Sequence, residues 1–563
     1  LKLHWSLAAC LGARDGSSVK AGIVGRCLQL ENPEAYLQGR EFLAAFSFAG
    51  DFDISYAPTL SYSGLCTDRA IFACGFCGSR ELEEVLSFDR CRSLFAATLD
   101  HWADKLGSLS LNTASPALNH YISTWGAYQS IACRLEARGS LYQSGGAIGF
   151  RDQLQDSVNL MLINPAYARE QILDSCRHQY EQGDVMHWWH RHPEGDKGVR
   201  TRCSDDLLWL VWALCEYVEA TGDTALCSET APYVTSPPLD HREGDRYEHP
   251  AQGKSDTVLN HAIAALECCI ARGFGQHGLP RMLAGDWNDA LNDVEGESVW
   301  LGWFFAHCAE SFARLLQTVG MDEAARRYSA GARQIGTAAD NAWCGDWYIR
   351  GYFADGQPLG GRERIDSLAQ SWGAMSPYAT PERRDRALNA ALERLLDRSH
   401  KLVKLFDPPY SNQERSPGYI VGYGQGFREN GGQYTHGAVW LARAAIECGM
   451  ADKGYEILSC LLPENHDLSR YAAEPFVLPA DVYSALNHEG EAGWTWYTGS
   501  AAWFFRVVTE DLLGLKLRGG KLYIEPNLPK ALPSYSLSLR GRKIQCDRGH
   551  VYVDGEIYLG QGL

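Results

Sequence analysis

The chain has 563 residues, 45% hydrophobic and 21% charged, which excludes a disordered segment and predicts two or three domains. Its net charge of −17 argues against a nucleic-acid partner, which needs a basic stripe, and no Lys/Arg run offers a membrane patch. There is no signal sequence and no apolar run long enough to span a bilayer, so a cytoplasmic protein is expected. Position 1 is Leu, and the chain reads as a piece of a longer polypeptide.

The 17 Trp and 27 Tyr suit sugar faces, although a large helical core consumes Trp as well. Many of the 18 Cys, such as Cys133, Cys215 and Cys308, sit on apolar faces and read as buried thiols. Cys74 and Cys77 form a C-x-x-C with no further ligands at matching spacing, so no metal site is expected.

Residues 1–88 read as β, with Phe46–Phe52 and Arg69–Phe76 carrying strand formers. A helical linker over 89–114 follows, with Leu94, Leu99, Trp102 and Leu106 near helical spacing. From Ser115, an N-cap followed by Pro116, the pattern is strongly helical through 513. Ser204 is expected to cap another helix, with Asp205 and Asp206 in its first turn. Val258–Ile270, Val299–Leu316, Gly437–Cys448 and Ser500–Leu512 repeat the theme. Residues 514–563 return to β, in Lys521–Pro526 and Val551–Gly555. No strand pattern alternates with the helices, which argues against a βαβ fold. The expected fold is mainly α, a toroid of paired helices flanked by β segments.

The loops between helices hold the unusual residues. In 142–156, glycines precede Arg151 and Asp152, a pair suited either to sugar hydroxyls or to a structural ion pair. In 285–292, Asp286, Trp287, Asn288 and Asp289 crowd together. Trp287 could cover a sugar face, and an apolar setting could keep one Asp protonated as a general acid; the alternative is an Asx-rich turn. Residues 428–436, with Glu429 and His436, and 493–500, with Thr498 and Gly499, each open a helix, where N–H groups favour an anion; each is also an ordinary helix start. The segment from His187 to Asp206 reads as a substrate-lining loop. The spacing of His187 and His190 could suggest a metal, but no zincin pattern follows.

Together YQSGGAIGFRDQLQD, VRTRCSDDLLWL, GDWNDALN, RENGGQYTH and GWTWYTGSAAW, in order over 142–503, resemble the inverting cellobiose/chitobiose phosphorylase family, glycoside hydrolase family 94, and its β-1,2-glucan branch in particular. The resemblance implies an (α/α)6 barrel between an incomplete N-terminal β-sandwich and a short C-terminal β domain. It implies Asp289 as the general acid, Trp287 beside the −1 sugar, and Arg151 and Asp152 on its hydroxyls. It places Glu429 near the +1 sugar or phosphate, and His436, Thr498 and Gly499 at phosphate. The partners implied are a β-glucan oligosaccharide and inorganic phosphate, with no metal or organic cofactor, and with a homodimer as the family's habit. Cellobiose-type members carry an Arg where this chain has Gly145, Gly146 and Ala147, and Ala290 and Leu291 replace the usual Gly-Met. Gln425 and Gly426 stand where the β-1,2 branch often has prolines. The competing readings are an inverting hydrolase, with Glu429 or Glu474 as the second carboxylate, and a module of a larger β-1,2-glucan synthase.

Overall fold

A computed structural model describes seven short strands between Lys2 and Phe76, together with residues 78–107, 109–136, 146–192, 194–240 and 243–563; the counts of elements that follow are of these described residues. Residues 48–51 of the expected strand Phe46–Phe52, residues 69 and 70 of Arg69–Phe76, Cys77 and residues 142–145 of the first glycine-rich loop lie outside the described residues. The chain divides into two compact units, Leu1–Lys105 with Arg191–Gly195, and Leu106–His190 with Asp196–Leu563.

In the first unit the strands form two antiparallel sheets. One orders Lys20–Val24, Cys27–Glu31, Phe42–Ser47 and Ile71–Phe76; the other orders Lys2–Leu7, Leu60–Leu65 and Phe52–Tyr56. Helix Phe88–Lys105 follows them in sequence.

The second unit is mostly helical. Six runs are buried along most of their length: Phe150–Asn159, Asp206–Thr221, Val299–Thr318, Ser367–Met375, Thr435–Glu447 and 500–512. Each packs on the next in sequence, and 500–506 packs back on Phe150–Asn159, so the contacts close into a ring. Between them lie six runs with exposed faces: 116–135, Pro165–Cys176, Val258–Ala271, Asp322–Asp340, Pro381–Arg394 and Ala451–Leu461. Asp322–Asp340 shows why: Ala325, Tyr328, Ala332, Ile335 and Ala339 recur at helical spacing and alone carry its apolar burial.

Tryptophans fill the ring. Trp440, fully buried, lies 6.3 Å from Trp209, 6.2 Å from Trp300, 5.3 Å from Trp372 and 5.7 Å from Trp503, one from each of four other inner helices. The sixth inner helix joins through Gln155, whose Oε1 accepts from the Trp503 indole at 2.9 Å. The Trp content is thus mainly core, packed among the buried aliphatic side chains of the same helices.

Ser115 caps its helix as expected, its Oγ accepting from the Leu118 amide. Ser204 does not cap. Its hydroxyl donates to the Gly285 carbonyl at 2.9 Å, and the helix begins at Asp206. Strands also occur among the helices: Ile148–Gly149, Met186–His190, Lys197–Thr201 and Asp245–Glu248 make an antiparallel sheet. At the C-terminus a five-stranded sheet contains Ser534–Leu539, Arg542–Asp547, His550–Val553 and Glu556–Ile557. Its fifth strand is Ser110–Asn112, from within the segment read as a helical linker.

Trp440→Ala is expected to remove about 3–5 kcal/mol of stability, as loss of a fully buried aromatic does. Leu486, 80% exposed, is the control: Leu486→Ala should stay within about 0.5 kcal/mol in the same urea titration.

Candidate active site

Four of the six inner helices begin directly after a two-residue strand, Ile148–Gly149, Glu297–Ser298, Ile365–Asp366 or Gln433–Tyr434. These pairings fix where each helix starts, and a cavity of about 610 Å³ is lined from two of those starts, the first and the last. Arg151 and Asp152 stand in the first turn of Phe150–Asn159, His436 in the first turn of Thr435–Glu447, and Thr498 and Gly499 just ahead of Ser500–Arg506. Trp287 and Asp289 come from the 285–292 loop and Glu429 from the 428–436 loop. All eight residues singled out from the sequence line this cavity.

The 285–292 loop is held by its other acid. Asp286 is fully buried; its Oδ1 accepts from Arg350 Nη2 at 2.7 Å and its Oδ2 from the Ser298 hydroxyl at 2.7 Å. Gly285, at φ 132, turns the chain where a side chain would be strained. Asn288 Oδ1 accepts from the Ala290 amide, an Asx turn that aims Asp289 outward. Asp289 meets no apolar setting of the kind expected for a protonated Asp. Its side chain is 42% exposed, its Oδ1 accepts from Arg151 Nη2 at 2.8 Å, and its Oδ2 lies 3.8 Å from His187 Nε2.

Arg151 is buried and also meets Asp205 Oδ1 at 3.2 Å and the Asp286 carbonyl at 3.2 Å. Asp205 receives the Trp209 indole N–H at 2.9 Å. His187 Nδ1 bonds Asp206 Oδ2 at 2.6 Å. Burial opposes the charge on His187, but the Asp206 and Asp289 carboxylates outweigh it and raise its pKa to about 10. His187, Cys203 and Asp206 stand close enough to share an ion, and the Arg151 guanidinium already supplies positive charge there, 3.8 Å from Asp206 Oδ1.

At the other side of the cavity Arg134 joins Asp152 at 3.0 Å and Asp156 at 2.7 Å, and lies over the Tyr497 ring at 4.3 Å. Burial works against ionisation of Asp152, yet Arg134 and then Arg151 hold its pKa down at about 2. His436 is held neutral: burial first, then Arg134, lower its pKa to about 3. Its Nε2 is buried without a hydrogen-bond partner among the described residues. A Cβ on Gly499 would stand 3.1 Å from His436 Nδ1 and 3.5 Å from Arg134 Nη2, so a side chain there would press on the histidine ring by a few tenths of an ångström. Trp287 packs edge-on against Tyr434 at 5.5 Å and His436 at 5.1 Å, and lies 5.1 Å from Trp440.

Burial raises the pKa of Glu429, which pairs with Arg428 at 3.3 Å. Glu474 is not among the cavity-lining residues; it accepts from the Trp496 indole at 3.0 Å. Arg134, Asp481 and Tyr434 line the cavity and were not singled out from the sequence. For Arg134 a signal existed, a cation three residues after Ile131 on a buried helix face.

A model of the family described as the glycosyl hydrolase 94 superfamily, catalytic domain, matches residues 101–514. Cyclic beta-(1,2)-glucan synthase NdvB of Rhizobium meliloti (strain 1021) is 38% identical over 536 residues, 92% of this chain and 19% of that protein. N,N'-diacetylchitobiose phosphorylase of Vibrio proteolyticus is 26% identical, covering 86% of this chain and 62% of its own length. 1,2-beta-oligoglucan phosphorylase of Listeria innocua serovar 6a is 22% identical, covering 79% and 45%. The chain therefore spans less than two thirds of each of these relatives. Among solved structures, a GH78 family rhamnosidase of Bacillus sp. GL1 superposes with a TM-score of 0.54 at 12% identity, over 86% of this chain and 43% of that one, a likeness of fold alone.

Asp286→Asn is expected to lower stability by about 3–5 kcal/mol, because it breaks the buried pair with Arg350; Asp289→Asn should shift it by less than about 1 kcal/mol. His187 generates a pH dependence. Its pKa rises from about 6.5 unfolded to about 10 folded. Its contribution is then fully present below about pH 6.5 and lost as pH rises through about 10. In His187→Gln the thermal midpoint should lose this alkaline slope.

Proposed function

The chain belongs to the glycosyl hydrolase 94 superfamily, and we propose that it is the catalytic region of an inverting phosphorylase for β-1,2-linked gluco-oligosaccharides. The observation that carries this is the convergence of Arg151, Asp152, Trp287, Asp289, Glu429, His436, Thr498 and Gly499 on one cavity, from four separate stretches of chain. The β-1,2 linkage is supported by relatives named for it, NdvB and 1,2-beta-oligoglucan phosphorylase. Under the same reading the closed ring of inner helices is an (α/α)6 barrel over 115–513, the two sheets of the first unit are part of a β-sandwich, and 514–563 is a β domain. The supports are the cyclic contacts of the six buried runs and the alternation of buried and half-exposed helices.

Phosphate belongs where Arg134, neutral His436, Thr498 and the Gly499 backbone meet. Arg134 offers charge and His436 an N–H that needs no proton from solvent. Phosphate is already an anion, so the reaction needs one acid and no general base, unlike inverting hydrolysis by water. A phosphate oxygen bonds to C1 from the face opposite Asp289, the C1–O bond breaks, and Asp289 protonates the departing oxygen. Inversion converts the β-linkage to α-glucose 1-phosphate. Arg151 and Asp152 would orient the −1 sugar over Trp287, with Glu429 toward the +1 side. No metal or organic cofactor enters this scheme, and a homodimer and a longer polypeptide remain part of the proposal.

A module of a cyclic β-1,2-glucan synthase would use the same site, and the 38% identity to NdvB favours that setting. The hydrolase reading turns on Glu429, since Glu474 is bonded to Trp496 and is not among the residues lining the cavity.

The test is release of glucose 1-phosphate from β-1,2-gluco-oligosaccharides with and without phosphate. Phosphate-dependent α-glucose 1-phosphate is expected, with kcat falling about 10²–10⁴-fold in Asp289→Asn. Free glucose formed without phosphate would overturn the reading in favour of hydrolysis.

A further inference from the structure

A second cavity, of about 310 Å³, lies at the opposite ends of the inner helices. Asn159 is the last residue of the helix whose first turn holds Arg151, and Arg443 stands seven residues after His436, about 10 Å further along its helix. The run 500–512 adds Arg506 and Asp511, and strand Leu515–Arg518 lines one side. None of these residues has a part in the phosphorolysis proposed above. Glu219, Arg314, Glu447 and Arg518 are exposed at the rim, so the cavity opens to solvent.

Part of the lining is paired with itself. Arg506 donates to Glu510 Oε2 at 2.7 Å and to Glu216 Oε2 at 2.5 Å. Four side chains are left with unmet bonding capacity. Asn159, 2% exposed, accepts from Arg506 Nη1 at 3.4 Å, but its Nδ2 donates to nothing among the described residues. Asp511, 8% exposed, lies 3.4 Å from Arg443 Nε, and its Oδ2 accepts no hydrogen bond among the described residues. Burial raises its pKa against the pull of Arg443. Arg443 donates its Nε–H to Glu447 Oε1 at 2.7 Å, and its two Nη groups carry no hydrogen bond among the described residues. His307 meets Trp372 edge-on at 5.8 Å, and burial lowers its pKa, so the neutral ring offers one donor and one acceptor. A buried polar atom without a partner is costly, and here a partner can come from outside the chain.

We propose that this cavity is a second carbohydrate site that binds one uncharged hexose, with Asn159 and Arg443 donating to its hydroxyls, Asp511 accepting from one of them, and His307 doing either. The charge of the lining selects against an ion: five basic and five acidic side chains face one another around the space. No Trp, Tyr or Phe is among the described lining residues, so there is no flat apolar wall for an aromatic ligand. A hydroxyl donates and accepts at once, which is what a mixed set of free donors and acceptors demands, and a sugar ring holds several hydroxyls on one rigid frame. The volume stands at the small end of ligand pockets, about 300–1,000 Å³, which suits a single ring. The ligand class follows from this lining alone, so the second site and the catalytic reading can fail separately.

The probe is D-glucose. Crystals of the full chain soaked in D-glucose should show one hexose in this cavity, within hydrogen-bonding distance of Asn159 Nδ2 and Asp511 Oδ2; this arm needs no variant to fold. Calorimetric titration with D-glucose should find the same site in solution, beside any glucose that the catalytic cavity takes, and sodium sulfate should not displace it. Asn159→Leu removes the buried donor and should weaken this site about tenfold, the loss of one buried hydrogen bond, while glucose bound beside Trp287 keeps its affinity. Ordered waters alone in the cavity, a sulfate ion in place of the sugar, glucose seen only beside Trp287, binding at crystal concentration only, or equal affinity in Asn159→Leu overturns the proposal.

Discussion

The contact between Trp440 and Trp287 is the one on which the rest of the site depends. Trp440 stands at the centre of the ring and touches tryptophans from four other inner helices, so its position is the consensus of the whole core. Trp287 rests on it at 5.1 Å and His436 at 4.5 Å. The floor of the cavity is therefore the roof of the hydrophobic core. Rigid indole planes carry core order directly to the loop holding Asp289 and to the helix start holding His436. Aliphatic side chains of equal volume would fill the ring but would leave more rotamer freedom at that boundary.

Charge is handled locally. A chain of net charge −17 has to bind phosphate against its own field, so the cations must be near and the carboxylates already engaged. Arg134 and Arg151 provide this, each neutralised in part by one buried acid and one that lines the cavity: Asp156 and Asp152 for the first, Asp205 and Asp289 for the second. The buried acids serve as orienting struts. His436 is the counterpart, a ring kept uncharged beside an arginine, so that it contributes an N–H without adding to the repulsion between cations.

Much of this was legible in the sequence, for identifiable reasons. Helix limits at Ser115 and Ser500 carry local cap and turn chemistry, and glycine-rich loops announce close backbone approach. All eight candidate residues sit in such loops or at the helix starts that follow them, which is why they could be named. Arg134, Arg350 and Asp481 sit in ordinary stretches, and their roles arise from contacts across large sequence distances, as between Arg350 and Asp286. Ser204 looked like a cap because Ser-Asp-Asp has cap composition; its hydroxyl instead found the Gly285 carbonyl, a partner no local pattern reveals. The apolar setting expected around Asp289 failed for the same reason, since Arg151 approaches it from a distant helix.

The short strand Ser110–Asn112 lies just before the first of the ring's twelve helical runs, yet its neighbour in the sheet is Ser534–Leu539, near the other end of the chain. The ring itself closes only when 500–506 reaches Phe150–Asn159. During synthesis the early helices thus leave the ribosome with their partners still unmade, and more than 400 residues separate the two strands. Such distant pairings make folding slow and expose apolar helix faces in the interval. The nascent ring must wait for the 500–506 helix, so a ribosome stall just before it would leave the preceding helices with their core open.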